Sequence, residues 1–163
     1  MWNSQTYGKL ELNQIPEKLN IFYEDKKKYG EPIEITIGTD SQNKDGATKI
    51  VSVISIICKG HGGIFFHHVV YHKLIDNVRD KLETETDLSI KIAQSLIAQL
   101  ETEYKTLFKS CPISIHIDAG NSPKGKTKDL IQALTGWVHG MGYNYEVKPK
   151  SYAASSIADR LSK

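Results

Sequence analysis

Hydrophobic and polar residues alternate along three consecutive segments in the first half of the chain. In the first segment Ile33, Ile35 and Ile37 are separated by polar residues, which is the period of a strand buried on one face. The same reading predicts strands over 33–40, 49–59 and 64–74. The loops between them are short and contain Asp45-Gly46 and a run of glycines, so the three strands are expected to form an antiparallel meander.

The hydrophobic period changes from two to about four in the second half. Leu88, Ile92, Leu96 and Leu100 recur every fourth residue, and this predicts an amphipathic helix over 87–109. The remaining pattern predicts, in order, a strand, a helix, a strand and a short helix over 113–118, 127–139, 143–148 and 152–161. We therefore expect an α/β fold whose five-stranded mixed sheet combines the meander with two parallel strands and is flanked by helices.

Residues 1–30 precede this alternation and are interpreted as an N-terminal lead-in to one domain over 31–163. Within the lead-in, residues 14–29 are either a helix that ends near Gly30 or a partly ordered arm. The chain has 163 residues, of which 39% are hydrophobic and 25% charged, a composition typical of a single folded domain.

The location expected for this chain is the cytoplasm. Cys58 and Cys111 do not have the spacing of a metal site, and two isolated cysteines suit a reducing compartment. The first residues lack the basic and apolar regions of a signal peptide. Since no apolar run approaches about 18 residues, we expect no membrane span and no membrane partner.

Two aspartates end the two strands with the clearest alternation. Asp40 and Asp118 follow the isoleucines of strands 33–40 and 113–118 at the opposite parity. If those strands are parallel neighbours, the two carboxylates lie about 5 Å apart and need a cation or a proton between them. Oxygen ligands favour Mg²⁺ or Mn²⁺. The alternative is that each aspartate only caps a turn.

Further acidic residues are candidates for the same edge of the sheet. Asp159 lies in the last predicted helix, whose small residues allow a close approach to the sheet. Glu83, Glu85 and Asp87 lie at the start of the first long helix, where the helix dipole alone also favours acidic side chains.

Taken in this order, the elements and their acids resemble the ribonuclease H fold, and more narrowly the bacterial YkuK-type ribonuclease H-like family. The likeness extends from about residue 30 onward. The segments that carry it are Ile37-Gly38-Thr39-Asp40-Ser41-Gln42, Ile117-Asp118-Ala119-Gly120, Gly136-Trp137-Val138-His139-Gly140-Met141-Gly142 and Lys148-Pro149-Lys150-Ser151-Tyr152-Ala153-Ala154-Ser155.

The resemblance implies a nuclease site with two divalent ions. By position, Asp40 and Asp118 match the strand acids of the superfamily and Asp159 matches the late-helix acid. Glu85 is the choice for the first-helix acid, with Glu83 and Asp87 as alternatives. The expected activity is hydrolysis of phosphodiester bonds in RNA, RNA–DNA hybrid or structured DNA.

Two histidines and four lysines complete the expected site. His116 and His139 are candidates for proton transfer. Lys124, Lys126, Lys148 and Lys150 follow the predicted strands and could contact phosphates of bound nucleic acid, although ordinary solvated lysines explain them equally well. The net charge is only +2, which indicates weak non-specific binding or a protein partner that brings the substrate.

Two other functions remain open at this point. One is a ribonuclease H-like module that binds nucleic acid or protein without cutting. The other is nucleotide binding, because Gly120 to Thr127 fits the pattern of a phosphate-binding loop between a strand and a helix. Against the second, that loop normally follows the first strand of a largely parallel sheet, whereas here it follows the fourth strand.

Overall fold

A seven-stranded mixed sheet with helices on both faces forms the fold. The computed structural model describes residues 1–119, 126–148 and 150–163, and for residues 126, 127, 154, 155 and 159 it describes the backbone alone. The strands are β1 (Trp2–Ser4), β2 (Gly8–Leu10), β3 (Ile33–Lys44), β4 (Ala47–Cys58), β5 (Gly63–Lys73), β6 (Ile113–His116) and β7 (Asn144–Glu146). The α-helices are α1 (Ile15–Lys26), α2 (Val78–Glu103), α3 (Lys105–Ser110), α4 (Lys126–Gly140) and α5 (Asp159–Ser162).

The predicted meander and parallel pair are both present. The sheet order is β2-β1-β5-β4-β3-β6-β7, and β3, β4 and β5 are antiparallel neighbours. Strand β6 lies parallel to β3 with Gly38 opposite His116, and β7 lies parallel to β6. Asp45 and Gly46 both have positive φ angles, of 53° and 77°, as a two-residue hairpin turn between β3 and β4 requires.

The prediction of five strands was wrong, because the N-terminal segment adds two more. Strand β1 pairs with both β2 and β5, so this segment forms one edge of the sheet. Each of the two strands has three residues, which is too short to display a period of two. Helix α1 and a 3-10 turn over Lys27–Tyr29 follow and end at Gly30, which has a φ of 68°. Of the two interpretations of residues 14–29, the helix is therefore confirmed and the partly ordered arm is not.

The first long helix begins at Val78 rather than at Asp87. Its N-cap is Asn77, whose side chain accepts a hydrogen bond from the backbone N–H of Asp80. Glu83, Glu85 and Asp87 consequently lie inside the helix and not in its first turn, so the helix dipole does not account for them. Tyr104 interrupts the predicted helix and separates α2 from α3.

The main hydrophobic core lies on one face of the sheet. It joins the isoleucines of β3, β4 and β6 to apolar residues of α1, α2 and α4, and its buried members include Ile35, Ile37, Ile54, Ile115, Leu19, Leu96, Leu100 and Val138. The opposite face is covered by the C-terminal segment, where a π-helix over Ala153–Ala158 leads into α5. Ala158 packs there against Val51 and Val53 of β4. The last predicted helix is thus present, but largely in π-helical form.

Candidate active site

Asp40 lies inside β3 and points to the face that the C-terminal segment covers. Because β3 continues to Lys44, Asp40 does not end its strand as predicted; instead it lies beyond the point where the shorter β6 ends. Its side chain is buried, with 5% exposure, and its Oδ2 accepts a hydrogen bond of 2.9 Å from the Ser162 hydroxyl of α5. A donor from the last helix therefore helps to hold the first strand acid.

Glu85 reaches the same edge from α2, on the other face of the sheet. Two side-chain hydrogen bonds join α2 to β3: Ser41 donates to Oε1 of Glu85 at 2.6 Å, and the hydroxyls of Ser89 and Thr39 lie 2.8 Å apart. Four residues of helix rise about 6 Å and two residues of strand about 6.6 Å. Glu85 can therefore lie opposite Ser41 while Ser89 lies opposite Thr39, and these two contacts fix the position of Glu85 along β3.

Burial raises the pKa of Glu85 to about 8. The neighbouring carboxylates of Asp40 and Asp118 raise it further, whereas the hydrogen bond from Ser41 opposes the shift. Three acidic side chains from β3, α2 and the end of β6 are therefore electrostatically coupled. Glu85, and not Glu83 or Asp87, is the acid of α2 that lies buried in this group, since both alternatives are partly exposed.

Asp118 follows β6 and forms an ion pair with Lys148. The Lys148 Nζ lies 3.0 Å from Oδ1 of Asp118, and the exposed fractions of the two side chains are 48% and 14%. The backbone sets this contact: Ile117 donates to the carbonyl of Glu146 at 2.9 Å, and Lys148 donates to the carbonyl of Ala119 at 3.1 Å. The pairing of β6 with β7 thus continues past both strand ends and brings Lys148 beside Asp118.

His116 is buried next to the acidic residues as a neutral side chain. Its Nδ1 accepts a hydrogen bond of 3.1 Å from the backbone N–H of Ala153, so the ring proton is on Nε2. Burial lowers the pKa of His116 to about 4. Nε2 has no hydrogen-bond partner among the described residues, and the ring lines a narrow crevice with Glu85 and Asp118. These features favour a hydrogen-bond donor over the expected proton-transfer group.

The acidic residues have the donor chemistry of a divalent-cation site but not its closed geometry. Carboxylate oxygens of three buried or nearly buried side chains suit Mg²⁺ or Mn²⁺, and the unpartnered Nε2–H of His116 suits an oxygen ligand beside them. In the part of the chain whose side chains are described, however, no three acidic, histidine or cysteine side chains are close enough to hold one ion. Hydrogen bonds and an ion pair from Ser41, Ser162 and Lys148 occupy oxygens of these carboxylates.

Two comparisons with known proteins show the family of this chain. Residues 14–163 match the family model described as ribonuclease H-like. The chain belongs to the ribonuclease H-like family. It is also 30% identical over 165 positions to the uncharacterized protein YkuK of Bacillus subtilis strain 168, a match that covers 96% of this chain and 93% of that protein. Both comparisons confirm the YkuK-type ribonuclease H-like resemblance of the sequence.

The other residues that the sequence predicts for the site of this ribonuclease H-like chain lie outside the described part, are exposed or line a different cavity. Asp159 is the first residue of α5, and its side chain lies outside the described part, as do Lys124 and the side chain of Lys126. Lys150 is exposed. His139 lines a different cavity together with Glu34 and Pro112, at the end of the strands opposite to Asp40. His139 therefore lies away from the acidic residues, and the structure gives no support to a proton-transfer role for it at this site.

Ser41 and Ser162, which hydrogen-bond to the acidic residues, are not predicted by the hydrophobic pattern or by a motif of the sequence. Ser41 follows Asp40 directly, and alternation along β3 could have placed it on the α2 face opposite Glu85. Ser162 lies near the end of the chain, beyond the hydrophobic pattern of the last predicted helix.

Two other sequence expectations concern membranes and nucleotides. None of the described helices is long and apolar enough to cross a membrane. The loop of the nucleotide-binding alternative, Gly120 to Thr127, lies mostly outside the described residues.

Proposed function

We propose that this ribonuclease H-like protein is a divalent-metal-dependent nuclease that hydrolyses phosphodiester bonds of RNA, RNA–DNA hybrid or structured DNA. The observation that carries the proposal is the convergence of Asp40, Glu85 and Asp118 from three elements, with a pKa of about 8 for Glu85. Burying three acids together is costly for the ionised protein. A site that binds divalent cations accounts for such an arrangement.

The residues that would hold Mg²⁺ or Mn²⁺ are Asp40, Glu85 and Asp118, with Asp159 as a fourth ligand from α5. A pair of such ions, when bound with substrate, supplies an activated water and charge stabilisation of the leaving oxygen. The chain's own part is to hold the carboxylates: the Ser41 hydroxyl positions Glu85 and the Ser162 hydroxyl positions Asp40.

Substrate contacts are proposed for the neighbouring basic and neutral donors. In sequence, Lys148 and Lys150 follow β7, Lys124 lies between β6 and α4, and Lys126 is the first residue of α4. Their ammonium groups suit phosphates on either side of the cleaved bond. His116 would donate from Nε2–H to an oxygen in the crevice between Glu85 and Asp118, without taking up a proton at neutral pH.

One specific observation favours a second candidate, a module that binds nucleic acid or a protein partner without cutting. Asp118 is neutralised by Lys148 at 3.0 Å, and the described side chains form no closed metal site. A protein that had lost catalysis would tolerate such an internal counter-ion. The two candidates differ in whether divalent ions bind and whether bonds are cut.

The test is a cleavage assay on a panel of single-stranded RNA, RNA–DNA hybrid, single-stranded DNA, duplex DNA and four-way junction. Each substrate is incubated with Mg²⁺, with Mn²⁺ and with EDTA. Metal-dependent cutting of at least one substrate supports the nuclease and identifies its substrate class. Binding to a substrate by gel shift, with no cutting in either metal, would instead support the non-catalytic module.

A further inference from the structure

Lys148 contacts a carboxylate oxygen of the acidic site with its ammonium group, as a bound metal cation would. Its ammonium group lies 3.0 Å from Asp118 Oδ1. The hydrogen bond from its backbone N–H to Ala119 and the one from Ile117 to Glu146 hold the two chain segments side by side. This pair is therefore built into the extension of the sheet, unlike a contact between two flexible surface side chains.

The charge at this edge explains why a positive charge beside Asp118 is favourable in the metal-free protein. Asp40 and Glu85 are 5% and 6% exposed, and the charge of Glu85 interacts unfavourably with the charges of Asp40 and Asp118. A nearby positive charge stabilises ionised carboxylates. Lys148 supplies that charge from a side chain that is itself half exposed, and is thus able to move away.

We propose that Lys148 is an internal counter-cation that occupies Asp118 when no metal is bound and competes with the divalent ion for this carboxylate. The inference rests on the proposed function of the site and adds a residue that controls its metal affinity. Lys148 is a positioning residue in this account. When Asp118 holds a metal ion, the flexible four-carbon side chain of Lys148 would contact a substrate phosphate instead.

The size of the effect follows from the exposure of the pair. An ion pair with one half-exposed partner contributes up to about 1 kcal/mol, which corresponds to about a fivefold change in an equilibrium constant. The cost of displacing Lys148 from Asp118 therefore weakens metal binding by about twofold to fivefold and does not prevent it. Lys148 adjusts the affinity of the site, and excess metal overcomes its competition.

The experiment measures Mn²⁺ binding by isothermal titration calorimetry on the full chain without nucleic acid. The variants are Lys148→Met, Lys148→Arg, which keeps the charge, and Lys44→Met, which removes an exposed charge at the end of β3. We expect Lys148→Met to bind Mn²⁺ about twofold to fivefold more tightly than the wild type. Lys148→Arg and Lys44→Met should bind with nearly the wild-type affinity.

Each other outcome has a distinct meaning. If Lys148→Met binds Mn²⁺ no more tightly than the wild type, Lys148 does not compete for Asp118 and the inference is overturned while the metal site stands. An equal gain in Lys44→Met would also overturn it, because the effect would then come from the net charge of the protein and not from the ion pair. If the wild type binds no Mn²⁺, both the inference and the metal-dependent function are wrong. Thermal unfolding without metal verifies that each variant is folded.

Discussion

The Ser162 hydroxyl donates a hydrogen bond of 2.9 Å to Oδ2 of Asp40 and so links the last helix to a central strand of the sheet. Both side chains are buried, with 1% and 5% exposure. The same helix is held at its end by Lys49, whose Nζ donates to the carbonyl of Leu161 at 2.8 Å. A cation at this position also interacts favourably with the helix dipole. The C-terminal segment is therefore part of the candidate active site.

Replacing Ser162 by alanine should destabilise the protein by about 1–3 kcal/mol, because a buried carboxylate loses a hydrogen-bond donor. Urea unfolding followed by circular dichroism measures this change. Ser156→Ala is the matched control, since Ser156 is exposed in the same segment and its loss should cost less than about 0.5 kcal/mol. Equal stability of the two variants would contradict the importance of the Ser162–Asp40 contact.

The raised pKa of Glu85 predicts an unusual dependence of stability on pH. With a pKa of about 8 in the folded state and about 4.3 in the unfolded state, the folded protein binds more protons between these values. The free energy of unfolding in EDTA should therefore fall as the pH rises from about 4.5 to about 8. Glu85→Gln keeps an acceptor for Ser41 and removes this loss.

Urea unfolding at pH 5 and pH 8.5, both in EDTA, measures the effect. Relative to the wild type, Glu85→Gln should gain stability with rising pH, by an amount on the order of a few kcal/mol. Glu101→Gln, an exposed position on the same helix, should follow the wild type at both values. If the difference in unfolding free energy between the wild type and Glu85→Gln does not change with pH, the pKa of buried Glu85 is not raised.

The N-terminal strands should contribute to stability although they lie at the sheet edge. Trp2 is 5% exposed, belongs to the main core and stacks on His68 with ring centroids 5.4 Å apart. Trp2→Ala should cost about 3–5 kcal/mol, as measured by urea unfolding. Trp137→Ala, at a side chain that is 37% exposed, should cost about 1 kcal/mol or less. The account of the N-terminal segment fails if the two variants are equally stable.

Much of the sheet could be predicted because its central strands are long. The β3, β4 and β5 strands each have 11 or 12 residues, which gives the period of two enough length to be recognised, and Asp45-Gly46 marks a turn by itself. Parity along β3 and β6 also predicts that Asp40 and Asp118 lie on the same face of the sheet. The three-residue strands β1 and β2 have no such signal, since their pairing with β5 depends on tertiary contacts.

The candidate site was harder to predict where it depends on how elements meet. The sequence predicts Glu85 as a site residue although it places the start of the helix at Asp87 instead of Val78. Glu85 is buried because α2 packs against β3 through the hydrogen bonds of Ser41 with Glu85 and of Ser89 with Thr39. The ion pair of Lys148 with Asp118 results from backbone pairing beyond the ends of β6 and β7. Such contacts join positions distant in sequence, and the hydrophobic pattern of one chain does not record them.

The central claim is that Asp40 is a metal ligand of a nuclease, and cleavage by Asp40→Asn tests it most directly. The substrate is the one that the wild type cuts in the panel with Mn²⁺. The control is Asp45→Asn, an exposed aspartate in the β3–β4 turn whose positive φ asparagine also tolerates. We predict at least about a 100-fold loss of rate for Asp40→Asn and the wild-type rate for Asp45→Asn. Cleavage by folded Asp40→Asn at the wild-type rate would contradict the account.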